Sequence, residues 1–311
     1  MKRFIIRTVL LILIPTITCV VLCEHFLRKI PNDYSFKSEW LAKESSSVEV
    51  LSLGSSHGFY GINPVFFSEK AFNAAHVSQT IRYDHFIFTK FVDEMDSLKI
   101  LVLPLSYGSF FDVLENSIED WRVKYYSIYY GCNFHRFEPK YNLEIYYGMQ
   151  FINVYNSMLG KVNHRTCNEL GWGTTYKFEE RSEDWEETGE TAAKRHTSDL
   201  MDTSVFEESK ELVEDIILKC KQKNVQVILL TTPTYETYRE NLNPKQLVLT
   251  TESCVCWEKQ YDNVHYLNLI ADDRFGPDDF FDADHLNEFG AEKLTLILQQ
   301  TIDSVGISNA K

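Results

Sequence analysis

Short, wholly apolar runs that alternate with helical patterns constrain the fold of this chain most strongly. Three runs have the apolar density of strands buried on both faces: "VEVLSLG" (48–54), "KILVLPLS" (99–106) and "VQVILLTTP" (225–233). The run "VHYLNLI" (264–270) is a weaker fourth strand, and "KAFNAA" (70–75) fits a short edge strand. The sequence therefore predicts five strands.

Helical periodicity fills the stretches between these runs. It predicts helices over 80–95, 205–222 and 288–305. The residues expected on one face are Ile81, His85, Phe88 and Val92 in the first helix, and Val205, Leu212, Ile216 and Cys220 in the second. Alternating strands and helices predict an α/β fold, a parallel sheet covered by helices on both faces, with functional sites at the carboxyl ends of its strands.

The N-terminus carries a separate signal. The segment from Phe4 to Cys23 is almost wholly apolar and long enough to cross a hydrocarbon core. Basic residues precede it and Glu24 follows, which predicts a cytoplasmic N-terminus and an inner-membrane, single-pass protein with its C-terminal domain in the periplasm or outside. A cleaved signal peptide is the alternative, although no small-x-small cleavage site ends the run.

Composition argues against some functions but does not decide whether the cysteines are free or paired. The net charge of −14 and a pI near 5.1 argue against nucleic acid as a partner. The seven cysteines lack metal-ligand spacing. Free or buried thiols are the simpler interpretation, although an exported domain could pair Cys132 with Cys167.

Two short motifs carry the chemistry. "GSSH" (54–57) follows the first strand, where a tight turn at Gly54 would present a serine above the sheet. Near the other end, "FFDADHLNEFG" (280–290) places Asp282 three residues before His285, and Asn287 can cap the next helix. A serine becomes a strong nucleophile when an imidazole removes its proton and a carboxylate orients that imidazole. The two ends of the chain together supply a complete triad.

In this order, and on this strand and helix background, the motifs resemble those of the SGNH (GDSL-type) hydrolases. The resemblance is greatest to the membrane-anchored branch that includes polysaccharide O-acetylation proteins, and it spans roughly 48–305. It implies a flavodoxin-like three-layer α/β/α sheet. It also implies Ser56 as nucleophile, His285 as general base and Asp282 as the residue that orients the base.

The resemblance is incomplete at the positions that would hold an oxyanion. Ser55 stands where the family usually has aspartate, and Ala75 or Ser78 replaces the glycine of its second motif. Where the third motif has Gly-x-Asn, this chain offers only the hydroxyl of Ser106. The oxyanion and substrate-binding candidates are Gly54, Ser78, Ser106 and His57.

Each candidate also has a purely structural interpretation. Ser56 alone fits an ordinary turn residue. Asp282 and Asp284 could be capping carboxylates in an acidic loop, and that loop lacks the spacing of an EF-hand calcium site. His57 and His76 are expected near the proposed cleft and could bind substrate, but nothing in the sequence distinguishes them from core or surface histidines. Only the pairing of both motifs favours a catalytic site.

The expected organisation has three parts. Residues 1–26 are the cytoplasmic tip and anchor, 27–47 a linker, and 48–306 the SGNH-like domain. A helical, aromatic-rich insertion is expected at about 110–203.

The resemblance implies a membrane-anchored serine esterase or O-acyltransferase that acts on acyl esters, most simply acetyl esters, of a cell-surface glycan. No cofactor and no metal are expected, and a polytopic membrane acyltransferase is a possible partner. The alternative is a catalytically weak or inactive binding or assembly subunit of a surface-polysaccharide modification system.

Overall fold

A parallel sheet organises the described part of the chain, which in this computed structural model is residues 1–147, 151–200 and 203–305. Its strands are β1 (Val50–Ser52), β2 (Ala71–Asn73), β3 (Ile100–Pro104), β4 (Gln226–Thr231) and β5 (Val264–Asn268). They run in the order β2-β1-β3-β4-β5, and every neighbouring pair is parallel. This is the flavodoxin-like order. The five predicted strands are confirmed, including β2 at the edge.

Helices connect and cover these strands. The α-helices of the described residues are α1 (Lys2–Leu27), α2 (Asp33–Glu44), α3 (Ser56–Gly61), α4 (Ile81–Phe91), α5 (Val123–Tyr125), α6 (Pro139–Asn142), α7 (Phe151–Met158), α8 (Thr188–His196), α9 (Ser204–Gln222), α10 (Glu236–Arg239), α11 (Pro244–Gln260) and α12 (Glu288–Ser304). Asn287 caps α12 by accepting from the N–H groups of Phe289 and Gly290.

The sheet is covered on both faces, as the alternating pattern predicts. On one face α12 shares a core with alternate strand residues; this cluster includes Val50, Ile100, Val102, Ile228, Leu294 and Leu298. Helix α9 contacts β4 and packs against α4. Because the strand residues are buried on both sides, their runs are continuously apolar rather than alternating.

Two predicted helix faces differ in detail from the observed ones. His85 of α4 is half-buried and its Nε2 lies 2.6 Å from Asp215 Oδ2 of α9, whereas Tyr83 and Asp84 are buried. In α9 the most buried positions include Phe206 and Val213 rather than Val205. In α4, His85 is less buried than predicted because it pairs with Asp215 of α9. In α9, the stripe of buried residues is rotated around the helix relative to the predicted stripe.

The chain divides into two compact units. One comprises Met1–Ser38 and Asp120–Arg165; the other comprises Glu39–Glu119 and the chain from Thr166 onward, and it contains the sheet. The stretch 27–47, expected to be a linker, contains α2. Residue 306, residues 148–150 and residues 201–202, which fall within the expected domain and insertion, lie outside the described residues.

Helix α1 is long and apolar enough to cross a membrane. Its most apolar window has a mean hydropathy of 2.5 and is not buried within the structure. Pro15 lies inside the helix without ending it. All seven cysteines are free thiols.

Candidate active site

A left-handed glycine turns the chain from β1 towards α3. Gly54 has φ +107°, and a Cβ at this position would lie 3.1 to 3.2 Å from ring atoms of Pro104, so both the backbone and the available space require glycine. The Gly54 N–H donates to Asp84 Oδ1 at 2.7 Å. Ser56 is then the first residue of α3. It stands at the carboxyl end of the strand, where the sequence predicts it.

The three residues of the predicted triad lie together. Ser56 Oγ is 2.8 Å from His285 Nε2, and His285 Nδ1 is 2.9 Å from Asp282 Oδ1. Asp282 Oδ1 also accepts the backbone N–H of His285 at 2.8 Å, which fixes the short turn between them. Because Nδ1 faces a carboxylate, it carries the proton in the neutral ring and Nε2 is left to accept from the Ser56 hydroxyl.

A second carboxylate, which the sequence indicates only as a candidate cap, lies against the same imidazole. Asp284 is 1% exposed, and its Oδ1 is 3.4 Å from His285 Nδ1. Its Oδ2 lies 3.8 Å from His57 Nε2, 3.7 Å from His196 Nδ1 and 3.8 Å from Arg195 Nη2. The only sequence signal for it is an acidic residue directly before the histidine.

His57 forms a second layer beneath the triad. Its ring stacks on that of His285, with centroids 4.8 Å apart and planes inclined by 15°. Its Nδ1 is 3.1 Å from Ser106 Oγ and 3.3 Å from Ser55 Oγ. Since Nε2 faces the Asp284 carboxylate, the ring proton is favoured there, and Nδ1 can accept from one of the two hydroxyls at a time.

Burial and neighbouring charges shift the pKa values of His57 and His285 in opposite directions. Burial, reinforced by the positive charge of His285, lowers the pKa of His57 to about 3, so this ring is neutral at neutral pH. Burial also opposes the charged form of His285, but Asp282 and Asp284 outweigh it and raise its pKa to about 10. Burial opposes the charged form of Asp284, but the positive charge of His285 outweighs it and holds the pKa of Asp284 below its usual range.

Ser78 takes the place of a glycine in backbone conformation as well as in sequence. It has φ +58°, a region that non-glycine residues rarely occupy. The Ala75 N–H donates to Asn73 Oδ1 at 3.0 Å. Among the described residues the N–H groups of Ser78 and Ser56 have no acceptor. Of the two alternatives for the second motif, Ser78 therefore has the available amide.

The remaining oxyanion candidates are occupied differently. Because its N–H is bound to Asp84, Gly54 shapes the turn and is not a free donor. The Ser106 hydroxyl contacts His57 and also Ser109 Oγ at 3.2 Å. The Ser78 hydroxyl donates to Glu119, which holds the loop that carries the Ser78 amide.

These side chains line one cavity of about 540 Å³ within the sheet-bearing unit. Its wall includes Ser56, His57, Ser78, Ser106, Arg195 and His285. Tyr176 also lines this cavity. Its ring stacks on those of Tyr60 and Phe281, with centroid distances of 3.6 and 4.0 Å, and its edge faces His285. Tyr176 belongs to the aromatic-rich insertion expected at about 110–203, but the sequence does not identify it as a cavity residue.

One group within the described residues has the donor atoms to ligate a metal. Atoms of His57, Asp284 and His285 lie within 4.8 Å of one another. Both ring nitrogens of His285 are already engaged, by Ser56 and by Asp282. The arrangement therefore fits proton transfer better than metal binding.

No protein-family model matches this sequence, and no curated protein matches it either. Solved structures similar to it include a candidate acylhydrolase from Bacteroides fragilis NCTC 9343, with 10% identity and a TM-score of 0.42, covering 86% of this chain and 95% of the other. A GDSL-like lipase from Bacteroides thetaiotaomicron VPI-5482 has 11% identity and a TM-score of 0.43, covering 87% and 99%.

A third similar structure is a candidate platelet activating factor from Streptococcus pneumonia, with 9% identity and a TM-score of 0.42, covering 95% of this chain and 98% of the other. At these identities and scores the likeness assigns no activity to this chain. One of the three carries the name GDSL-like lipase.

Proposed function

We propose that this chain is a serine esterase or O-acyltransferase of the SGNH type. The observation that carries the proposal is the contact of Ser56 Oγ with His285 Nε2 at 2.8 Å, backed by Asp282 on the other ring nitrogen. A hydroxyl, an imidazole and a carboxylate in this relation are the parts of a charge-stabilised nucleophile.

In the proposed reaction Ser56 Oγ attacks the ester carbonyl carbon while its proton passes to His285 Nε2. The carbonyl oxygen becomes an oxyanion, which the N–H groups of Ser56 and Ser78 are positioned to hold. As the tetrahedral intermediate collapses, His285 gives the proton to the departing alcohol, and an acyl-serine remains. Water or a sugar hydroxyl then gives its proton to His285 and attacks the acyl carbon. As the bond between the acyl carbon and Ser56 Oγ breaks, His285 returns the proton to Ser56, and an acid or a new ester is released.

Ser106 serves as a third oxyanion donor only when its hydroxyl is released from His57. Because Nδ1 of His57 accepts from either Ser55 or Ser106, rotation of the Ser55 hydroxyl towards the ring frees that of Ser106. An oxyanion donor is typically worth about 10²- to 10³-fold in rate. In this proposal the released Ser106 hydroxyl takes the role of the asparagine in the third motif.

The proposed substrate is an acyl ester, most simply an acetyl ester, of a cell-surface glycan. Two observations support it: the resemblance of both motifs to the membrane-anchored O-acetylation branch, and an apolar α1 that is long enough to span a membrane. With Lys2, Arg3 and Arg7 in the first turns of α1 and Glu24 near its end, the proposed orientation is a cytoplasmic N-terminus at the inner membrane. A polytopic acyltransferase is the proposed membrane partner.

A noncatalytic binding or assembly subunit is the second candidate. It is favoured by the absence of the third-motif asparagine and by the engagement of the Ser106 hydroxyl with His57 and Ser109.

A fluorophosphonate probe distinguishes the two candidates. We expect the full chain in detergent micelles to be labelled, and both Ser56→Ala and His285→Ala to abolish labelling. The matched controls are Ser253→Ala in α11 and His265→Ala in β5, which lie outside the cavity wall. A folded parent that takes up no probe, or that Ser56→Ala leaves labelled, would contradict the esterase proposal and favour the binding subunit.

A further inference from the structure

Helix α7 has its apolar face outward. Five residues form one face of this helix and its final turn, and all are strongly exposed: Phe151 at 59%, Ile152 at 65%, Tyr155 at 58%, Met158 at 59% and Leu159 at 46%. At 100° per residue they fall within about one third of the helix circumference.

The opposite face of α7 is the one that is half-buried, and it is mostly polar. It consists of Asn153, Val154, Asn156 and Ser157. In a helix on the surface of a water-soluble domain the apolar stripe faces the core and the polar residues face solvent. Here the order is reversed, so the environment outside α7 is expected to be apolar.

The last turns of α1 hold α7 and the segment before it. Within the unit that contains both helices, Ser157 Oγ donates to the Phe26 carbonyl at 2.8 Å. The Glu24 carboxylate accepts the backbone N–H groups of Glu144 and Ile145 at 3.1 and 3.0 Å. The exposed face of α7 is thereby tied to the end of the apolar surface of α1, at the level where the first charged residues follow the apolar run.

We propose that α7 lies in the surface of a lipid bilayer at the point where α1 leaves it, with Phe151, Ile152, Tyr155, Met158 and Leu159 among the upper acyl chains. An uncharged, one-sided apolar helix beside a membrane span fits this location, because the interface accepts both the apolar face and the amphipathic ring of a tyrosine. The inference rests on the proposal that α1 spans the membrane. It is independent of the esterase chemistry.

The test uses the full chain reconstituted in vesicles of phosphatidylcholine and phosphatidylglycerol. A bilayer-partitioning aryl diazirine is photolysed in these vesicles, and the labelled positions are mapped by mass spectrometry. We expect labelling of 151–159 to be comparable per residue with that of α1, and severalfold above that of α11, whose exposed Val248 is the matched apolar control at 47% exposure.

A triple variant, Phe151→Ser, Ile152→Ser and Met158→Ser, is expected to lose label in this segment and keep it in α1. If α1 is labelled and 151–159 is no more labelled than α11, the proposed interfacial location of α7 is wrong, whereas the proposal that α1 spans the membrane is supported. If neither is labelled, the anchor proposal fails and the location of α7 fails with it. An unlabelled α7 that is also protected from hydroxyl-radical oxidation would mean that a protein, not lipid, covers this face.

Discussion

At the imidazole of His285 two carboxylates face one ring nitrogen. Asp282 makes the shorter contact, at 2.9 Å, and orients the ring through the turn it closes. Asp284, at 3.4 Å and almost fully buried, adds negative charge without replacing that contact. Both stabilise the imidazolium, which helps the step that charges the ring but keeps the resting ring protonated to higher pH.

The pH dependence of serine labelling tests this arrangement. In the proposed mechanism the base is the neutral form of His285, so a raised pKa, here to about 10, should make labelling increase with pH into the alkaline range. Asp284→Asn removes one of the two negative charges and lowers the pKa of His285. The midpoint of the pH profile of labelling should therefore fall by about 1 to 3 pH units. The measurement is the fluorophosphonate labelling rate between neutral and strongly alkaline pH.

Asp282→Asn provides the comparison for this experiment. Because it removes the carboxylate that orients the ring, we expect a large loss of labelling rate at every pH rather than a shift of the profile. Equal effects of the two substitutions, or an unchanged profile in a folded Asp284→Asn variant, would show that Asp284 does not tune the base.

Ser78 separates the role of a backbone amide from that of its side chain. Ser78→Gly keeps the N–H and suits φ +58°, so we expect it to retain the labelling rate within a few-fold. Ser78→Pro removes the N–H and also cannot adopt φ +58°, so it should lower the rate by at least about 10²- to 10³-fold. Circular dichroism of both variants checks the fold, and a fully active proline variant would exclude this amide from the oxyanion hole.

The triad could be predicted from the sequence because each of its parts is encoded locally. Gly54 ends an apolar run, and Asp282 and His285 share one short turn. The layer of His57 and Asp284 beside the triad could not be predicted, because these two residues meet only after distant segments of the chain fold together. Tyr176 was missed for the same reason, since aromatic residues at mixed spacing do not reveal which one reaches a cleft.

At the scale of elements, the turn at Gly54 after β1 sets the position of Ser56, so a change in this turn displaces Ser56 most directly. Gly54→Ala places a Cβ against Pro104 at a φ that L residues rarely adopt. We expect a loss of about 1 to 3 kcal/mol in the free energy of unfolding, measured in urea, together with reduced labelling. Gly276→Ala is the control, because nothing lies within 4 Å of its added Cβ, and comparable losses in both variants would contradict the steric argument.

Helix α12 fixes His285 from the other side of the site by packing on the sheet. Leu298 is fully buried in the core cluster, whereas Leu296, two residues earlier, is 43% exposed. Leu298→Ala should cost about 2 to 5 kcal/mol of unfolding free energy through the cavity it leaves. Leu296→Ala should change it by about 0.5 kcal/mol or less, and similar urea midpoints for the two variants would contradict this packing.

Strands were easier to predict from this sequence than helix faces. A strand buried on both sides leaves a continuous apolar run that no other local structure explains as well. Helix faces depend on the partner, and α4 shows this: His85 meets Asp215 of α9 across the helix pair, which periodicity alone does not anticipate. The helical part of 27–47 was missed because its sequence is polar and lacks a strong stripe.

For the whole molecule, the distance in sequence between Ser56 and His285 has a consequence for how the protein is made. The two residues are 229 positions apart, so a growing chain carries an inert serine until the segment with His285 has been synthesised and has docked. Premature termination or proteolysis before that point leaves a product in which Ser56 has no imidazole beside it. Any measured labelling of Ser56 is therefore also an assay of completed folding.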